Sequence, residues 1–119
     1  MNIESLREYC IGKPGVTESF PFGEDTLVFK VGEKVFLLTS LAKLESFNAK
    51  CDPEKAVLLR EQYSEIISGY HMNKKHWNTV YYNQSVPESL LKELIDHSYQ
   101  LVFASLPKAT QSQINVSDT

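Results

Sequence analysis

The stretch Thr26-Leu27-Val28-Phe29-Lys30-Val31-Gly32-Glu33-Lys34-Val35-Phe36-Leu37-Leu38 decides the fold class. Two runs of β-branched and apolar residues, Thr26 to Val31 and Lys34 to Leu38, flank the pair Gly32-Glu33. Such runs joined by two residues read as a β-hairpin, and glycine at the first loop position suits a type II′ turn. An antiparallel pair therefore lies early in the chain, and the segments on either side must cover it.

Downstream, Glu45 to Cys51 alternates cleanly, with Phe47, Ala49 and Cys51 on one face and Ser46, Asn48 and Lys50 on the other, as in a half-buried strand. Asp52-Pro53 supplies an N-cap followed by proline at the first helical position. Ala56, Leu59, Tyr63 and Ile66 or Ile67 continue as an apolar helical stripe that Gly69 should close. Trp77 to Tyr82 reads as another strand. Ser85-Val86-Pro87-Glu88 has capping-box spacing and opens a helix through Leu90, Leu91, Leu94, Ile95, Leu101 and Val102. Upstream, Asn2 caps a short helix in which Ile3, Leu6 and Cys10 recur until Gly12-Lys13-Pro14-Gly15, and a turn-rich stretch runs through Phe20-Pro21-Phe22-Gly23. Strands in the middle with helices at both ends predict the α+β class, an antiparallel sheet with helices packed on one face.

The chain has 119 residues, enough for one hydrophobic core and not two, so residues 1–107 should form a single domain. From Lys108 the apolar periodicity gives way to Gln, Ser, Thr, Asn and Asp, which predicts a flexible polar tail over residues 108–119. Hydrophobic residues make up 42% and charged residues 23%, which excludes a disordered chain. No apolar run approaches the roughly 20 residues of a membrane-spanning helix, and the start Met1-Asn2-Ile3-Glu4 lacks the pattern of a secretory signal. A cytoplasmic location is the expectation. Cys10 and Cys51 stand far apart, outside any C-x-x-C pair, and read as buried free thiols.

The segment richest in chemistry is Tyr70-His71-Met72-Asn73-Lys74-Lys75-His76-Trp77-Asn78, which joins two lysines, two histidines, two amides and flanking aromatics without an acid. Lysine neutralises phosphate, Asn can pair with adenine and aromatic faces stack on bases, so the mixture suits contact with a nucleic acid or another anion. The bland alternative has Tyr70, Met72 and Trp77 anchoring a connection while Lys74 and Lys75 solvate its turn. Charge is also uneven along the chain: Thr26 to Lys50 carries Lys30, Lys34, Lys43 and Lys50 against Glu33 and Glu45, although the net charge is −3. Paired strands could bring Lys30, Lys34 and Lys50 together with Lys74 and Lys75 as one basic face.

Other chemistry is thinly represented. His71 and His76 are five apart with no carboxylate between them, which fits no zinc or H-E-x-x-H pattern, and His97 reads as an exposed or capping histidine. No G-x-S-x-G elbow or phosphate-binding loop occurs, and Glu24-Asp25 reads as a solvated pair. We expect no metal, no cofactor and no enzymatic activity.

Several ordered stretches resemble the MmcQ/YjbR-like family: Lys13-Pro14-Gly15-Val16-Thr17-Glu18, Phe20-Pro21-Phe22-Gly23, Val28-Phe29-Lys30-Val31, Lys50-Cys51-Asp52-Pro53-Glu54, Tyr70 to Val80, and Ser98-Tyr99. The resemblance runs from Cys10 to about Leu106. It implies a compact α+β domain similar to the bacterial frataxin CyaY fold and a DNA-binding role linked to β-hairpin wings, for which Lys30 and Lys34 are the matching lysines. The family's Y-H-M-N-K-K-H-W run falls on Tyr70 to Trp77. The combined expectation is a DNA-binding or DNA-associated module that uses Lys30, Lys34, Lys50, Tyr70, His71, Asn73, Lys74, Lys75, His76 and Trp77. The alternative is a small-ligand or protein-binding adaptor with an anion-accepting pocket at Tyr70 to Trp77. A monomer is favoured.

Overall fold

The helix α1, Ile3–Ile11, starts where Asn2 Oδ1 accepts from the backbone N–H of Ser5 at 2.8 Å, while Ser5 Oγ accepts from the N–H of Asn2 at 2.9 Å. This reciprocal cap satisfies two donors that a bare helix end leaves open. Leu6 and Cys10, four apart on one face, are fully buried. The computed structural model describes residues 1–42, 45–69, 73–82 and 86–117.

Beyond α1 the chain forms β1, Val16–Ser19, then β2, Thr26–Val31, and β3, Lys34–Ser40. It continues with β4, Ser46–Lys50, and α2, Pro53–Gln62, then β5, Ile66–Ser68, and β6, Trp77–Tyr81. Helices α3, Glu88–Ser105, and α4, Lys108–Ser117, complete the fold. The six strands make one sheet in the order β1-β2-β3-β4-β6-β5, with every neighbouring pair antiparallel. This is the α+β architecture expected from the strand and helix pattern.

One face of the sheet carries the core. Register aligns Phe29 with Leu37, Leu37 with Ala49, and Phe47 with Val80, which in turn faces Ile66. All of these are buried in a single cluster with Leu6 of α1, Ala56 and Leu59 of α2, and Leu91, Leu94, Ile95 and Val102 of α3. Burial of each large apolar side chain contributes about 1.5–3 kcal/mol, so this face drives folding. The helices of the cluster thus pack against the same side of the sheet.

The central hairpin departs from expectation in its turn. Gly32 has φ +56° and Glu33 φ +68°, so both loop residues are left-handed, which is the type I′ turn and not II′. Leu106 explains why glycine stands first, since its Cδ1 would lie 2.6 Å from a Cβ at position 32. A bulge between Phe29 and Lys30 leaves Phe36 as the extra residue of β3. The Phe36 carbonyl accepts from Ser98 Oγ, and its ring meets Tyr99 edge-on at 5.6 Å. The irregularity therefore docks α3.

Three further expectations change, and one strand was not foreseen. Helix α2 ends at Gln62, with Tyr63 extended, because Ile66 pairs with Val80 as part of β5 and does not prolong the helical stripe. Its spacing from Leu59 and Tyr63 fits either reading. Strand β1 was hidden by its short, polar sequence and lies at the sheet edge. The N-cap of α3 is Pro87, without a side-chain bond, and Ser85 of the expected capping box falls outside the described residues. The expected tail is helix α4, in which Ile114 is 8% exposed. Gly15, with φ +72°, admits this helix, since a Cβ there would stand 2.9 Å from Ile114 Cγ2.

Candidate nucleic-acid and anion interface

The turn before β6 is held from three sides. Asn73 Oδ1 accepts from the N–H of Lys75 at 2.9 Å, and the N–H of His76 donates to the Asn73 carbonyl at 3.1 Å. Arg60 of α2 donates through Nη1 to the Lys74 carbonyl at 3.2 Å and to Asn78 Oδ1 at 2.9 Å. Asn78, itself buried, donates from Nδ2 to the Ala56 carbonyl at 3.4 Å. The Cys51 N–H reaches the His76 carbonyl at 2.8 Å. The backbone of this turn is thereby fixed while Lys74 and Lys75 remain exposed.

Trp77 is buried and His76 half-buried, so their side chains build the turn's base more than its surface. Asn73 spends its carbonyl oxygen on the turn itself. Tyr70 and His71, and Lys43 from the sequence-based charge count, fall outside the described residues.

Register shows how the lysines gather. Lys30 pairs with Val35 near the β2–β3 turn, Lys34 opens β3, and Lys50 ends β4 opposite Trp77, the first residue of β6. Antiparallel pairing carries all these positions, with the turn of residues 73–76, to the same end of the sheet. Lys30 and Lys50 lie on the face opposite the core, because their neighbours Phe29, Val31, Ala49 and Cys51 point into it. At about 4.8 Å per strand they stand roughly 10 Å apart across the sheet.

Lys75 instead borders a depression of about 550 Å³ beside α2, lined also by Pro53, Glu54, Val57, Leu58, Arg60 and Glu61. The expected single basic face is thus corrected to a basic rim around one end of the sheet, because strand alternation sends Lys30 and Lys50 to one side while the turn leads Lys75 toward α2. Among the described residues, none of Lys30, Lys34, Lys50, Lys74 and Lys75 forms an ion pair. The carboxylate of nearby Asp52 is directed to its own helix, accepting from the Lys55 N–H at 3.2 Å.

The nucleophile candidates are subdued. Burial pushes the Cys10 thiol up to about 12 and the Cys51 thiol up to about 11, so both stay protonated near neutrality. His97 lies in the interior of α3, half-buried and neither exposed nor capping its own helix, and accepts from the Asp52 N–H through Nε2 at 3.1 Å. Burial, and then the charge of Lys55, hold its pKa below the usual imidazole value. Among the described residues, no three His, Cys, Asp or Glu side chains cluster as metal ligands.

Residues 11–101 match the YjbR sequence family. The chain belongs to the YjbR family. Over 112 residues it is 40% identical to the uncharacterized protein YbdF of Escherichia coli O157:H7, which covers 93% of this chain and 92% of that one. Over 109 residues it is 36% identical to the uncharacterized protein YjbR of Escherichia coli K12, covering 91% and 92% of the two chains. The crystal structure of Deinococcus radiodurans protein DR2400, a DUF419 domain, is similar with a TM-score of 0.89 and 39% identity, spanning 95% of this chain and 87% of that one.

Two features of this YjbR-family chain escaped sequence reasoning. Arg60 looked like an ordinary polar position of α2, and only its three-dimensional contacts reveal it as the clasp of the lysine turn. The second is a cleft of about 500 Å³ between α1, α3 and α4, lined by Tyr9, Lys13, Pro14, Asp96, Tyr99, Gln100, Phe103 and Asn115. Asp96 accepts from Tyr9 Oη with both oxygens, at 2.7 and 2.9 Å, and from Lys13 Nζ. Burial and this hydrogen bond push the Tyr9 phenol up to about 12, so it remains neutral. The family resemblance included Lys13, Pro14 and Tyr99, but their distance in sequence concealed their meeting.

Proposed function

We propose that this YjbR-family chain is a non-enzymatic, DNA-associated binding module whose contact surface is the basic rim at the hairpin end of its sheet. The observation that carries this reading is the convergence of Lys30, Lys34, Lys50, Lys74 and Lys75 on that end, each without an ion pair among the described residues. Free ammonium groups of this kind exchange condensed counterions for phosphates, the main source of affinity for a nucleic-acid backbone. The rigid seating of the turn by Arg60 supports it further, since the lysine backbone needs little ordering on contact. The likeness to a frataxin-type fold belongs to the same reading: helices on one side of the sheet leave its other side and its ends for contacts.

Fluorescence anisotropy with duplex and single-stranded DNA over a salt series tests it. Binding at low salt that weakens when Lys74 and Lys75 are both replaced by Ala is the expected result. Absence of binding at low salt, or binding indifferent to those replacements, overturns it.

One observation favours a protein-binding adaptor as the second reading. Val57 and Leu58, 45% and 63% exposed, form an apolar strip beside Lys75 and Arg60 in the depression along α2. An anisotropy experiment negative for DNA, with a Leu58→Asp variant that loses a protein partner, would favour this alternative.

A further inference from the structure

The cleft between α1, α3 and α4 is separate from the lysine turn, and its chemistry is more specific. Tyr9, Tyr99 and Phe103 supply aromatic walls, with the rings of Tyr99 and Phe103 stacked at 5.9 Å. Lys13 lies 4.6 Å from the Tyr9 ring centroid and 5.5 Å from that of Tyr99, and its side chain is only 16% exposed. The ring faces hold this ammonium within the lining with little water around it, where its field is weakly screened.

Asp96 accepts from Lys13 Nζ with one oxygen and from the Tyr9 hydroxyl with both, so its hydrogen-bonding capacity is divided between the two donors. An ammonium has three donors. A second cation, Lys92, approaches the same Tyr9 ring at 5.4 Å. One ammonium group, that of Lys13, and one neutral phenol, that of Tyr9, thus meet at the Asp96 carboxylate, and a second ammonium lies against the ring of that phenol. The amides of Gln100 and Asn115 complete the polar lining. A volume of about 500 Å³ falls within the usual range of small-molecule sites.

We propose that this cleft binds a small organic anion bearing a flat ring, the ring lying against Tyr99 and Phe103 and the anionic group meeting Lys13. The anion, a carboxylate or a phosphate, competes with Asp96 for the lysine. The wall contributed by α4 makes the site depend on the docking of Ile114 against Gly15.

Titration with phenyl phosphate, benzoate, benzyl alcohol and benzylamine, followed by amide chemical shifts of the full chain, tests this. At least one anion should shift residues of the cleft and bind about tenfold more tightly than benzyl alcohol. Preference for phenyl phosphate assigns the phosphate class, and preference for benzoate the carboxylate class. Lys13→Gln should remove the advantage of the anion, whereas Asp96→Asn, which removes the competing charge, should tighten it several-fold. A merely structural Lys13–Asp96 pair would not give these opposite responses. If Lys13→Gln fails to fold, the Asp96→Asn response together with the exposed Gln100→Ala variant decides the matter. Preference for benzylamine, shifts confined to the turn of residues 73–76, or no saturable shift with either anion overturns the proposal.

Discussion

At the scale of single residues, the polar groups of this chain act mostly by fixing backbone. Asn78 bridges Arg60 and the Ala56 carbonyl while nearly fully buried, so it joins β6 to α2 beneath the lysine turn. Asn78→Ala leaves Arg60 and the carbonyl short of a partner and should cost about 1–3 kcal/mol, read as a lowered urea midpoint. His97 makes stability depend on pH in a predictable direction. Its folded pKa lies below 6.5, so the folded state resists taking up the proton that the unfolded chain accepts. This contribution is complete above pH 6.5 and is lost as the pH falls through the lower, folded value. Urea midpoints measured at about pH 7.5 and pH 5 should therefore fall less in His97→Gln than in the parent protein. An equal fall in both would remove His97 as the source.

At the scale of elements, the case of α4 shows a polar segment that becomes legible as a helix only through its receptor. One apolar residue, Ile114, is buried against a glycine whose positive φ and missing Cβ leave room for it. Ile114→Ala should cost about 2 kcal/mol, at the low end for a buried isoleucine because the site borders the surface. Gly15→Ala should impair the same docking, through backbone strain as well as collision, and the thermal midpoints of both variants report it. The hairpin makes the complementary point. Its existence was legible because two β-rich runs closely flank a two-residue loop, whereas its turn type depended on φ at Glu33, which a glutamate rarely makes positive.

At the scale of the whole molecule, a net charge of −3 coexists with a basic rim. Binding to DNA through five lysines would give a salt slope near −4.5, and affinity should fall by two to three orders of magnitude between about 50 and 200 mM salt. Replacing Lys74 and Lys75 should reduce the slope by about 2. A slope near zero in the parent chain would mean that the rim is not the contact. Among the described residues, no helix is long and apolar enough to cross a membrane.

The amino-acid sequence alone determined the α+β class, the strands within Thr26 to Val31, Glu45 to Cys51 and Trp77 to Tyr82, the Asp52-Pro53 helix start and the burial of both cysteines. These follow from local periodicity and capping chemistry, which neighbouring residues express without knowing the rest of the fold. Tertiary structure alone decided that Ile66 is strand, that α4 docks, that Arg60 clasps the lysine turn, and that Tyr9, Lys13 and Asp96 meet in a cleft. Each of these rests on a contact between residues distant in the chain or on a backbone geometry imposed by one, and periodicity carries no record of which distant groups will touch.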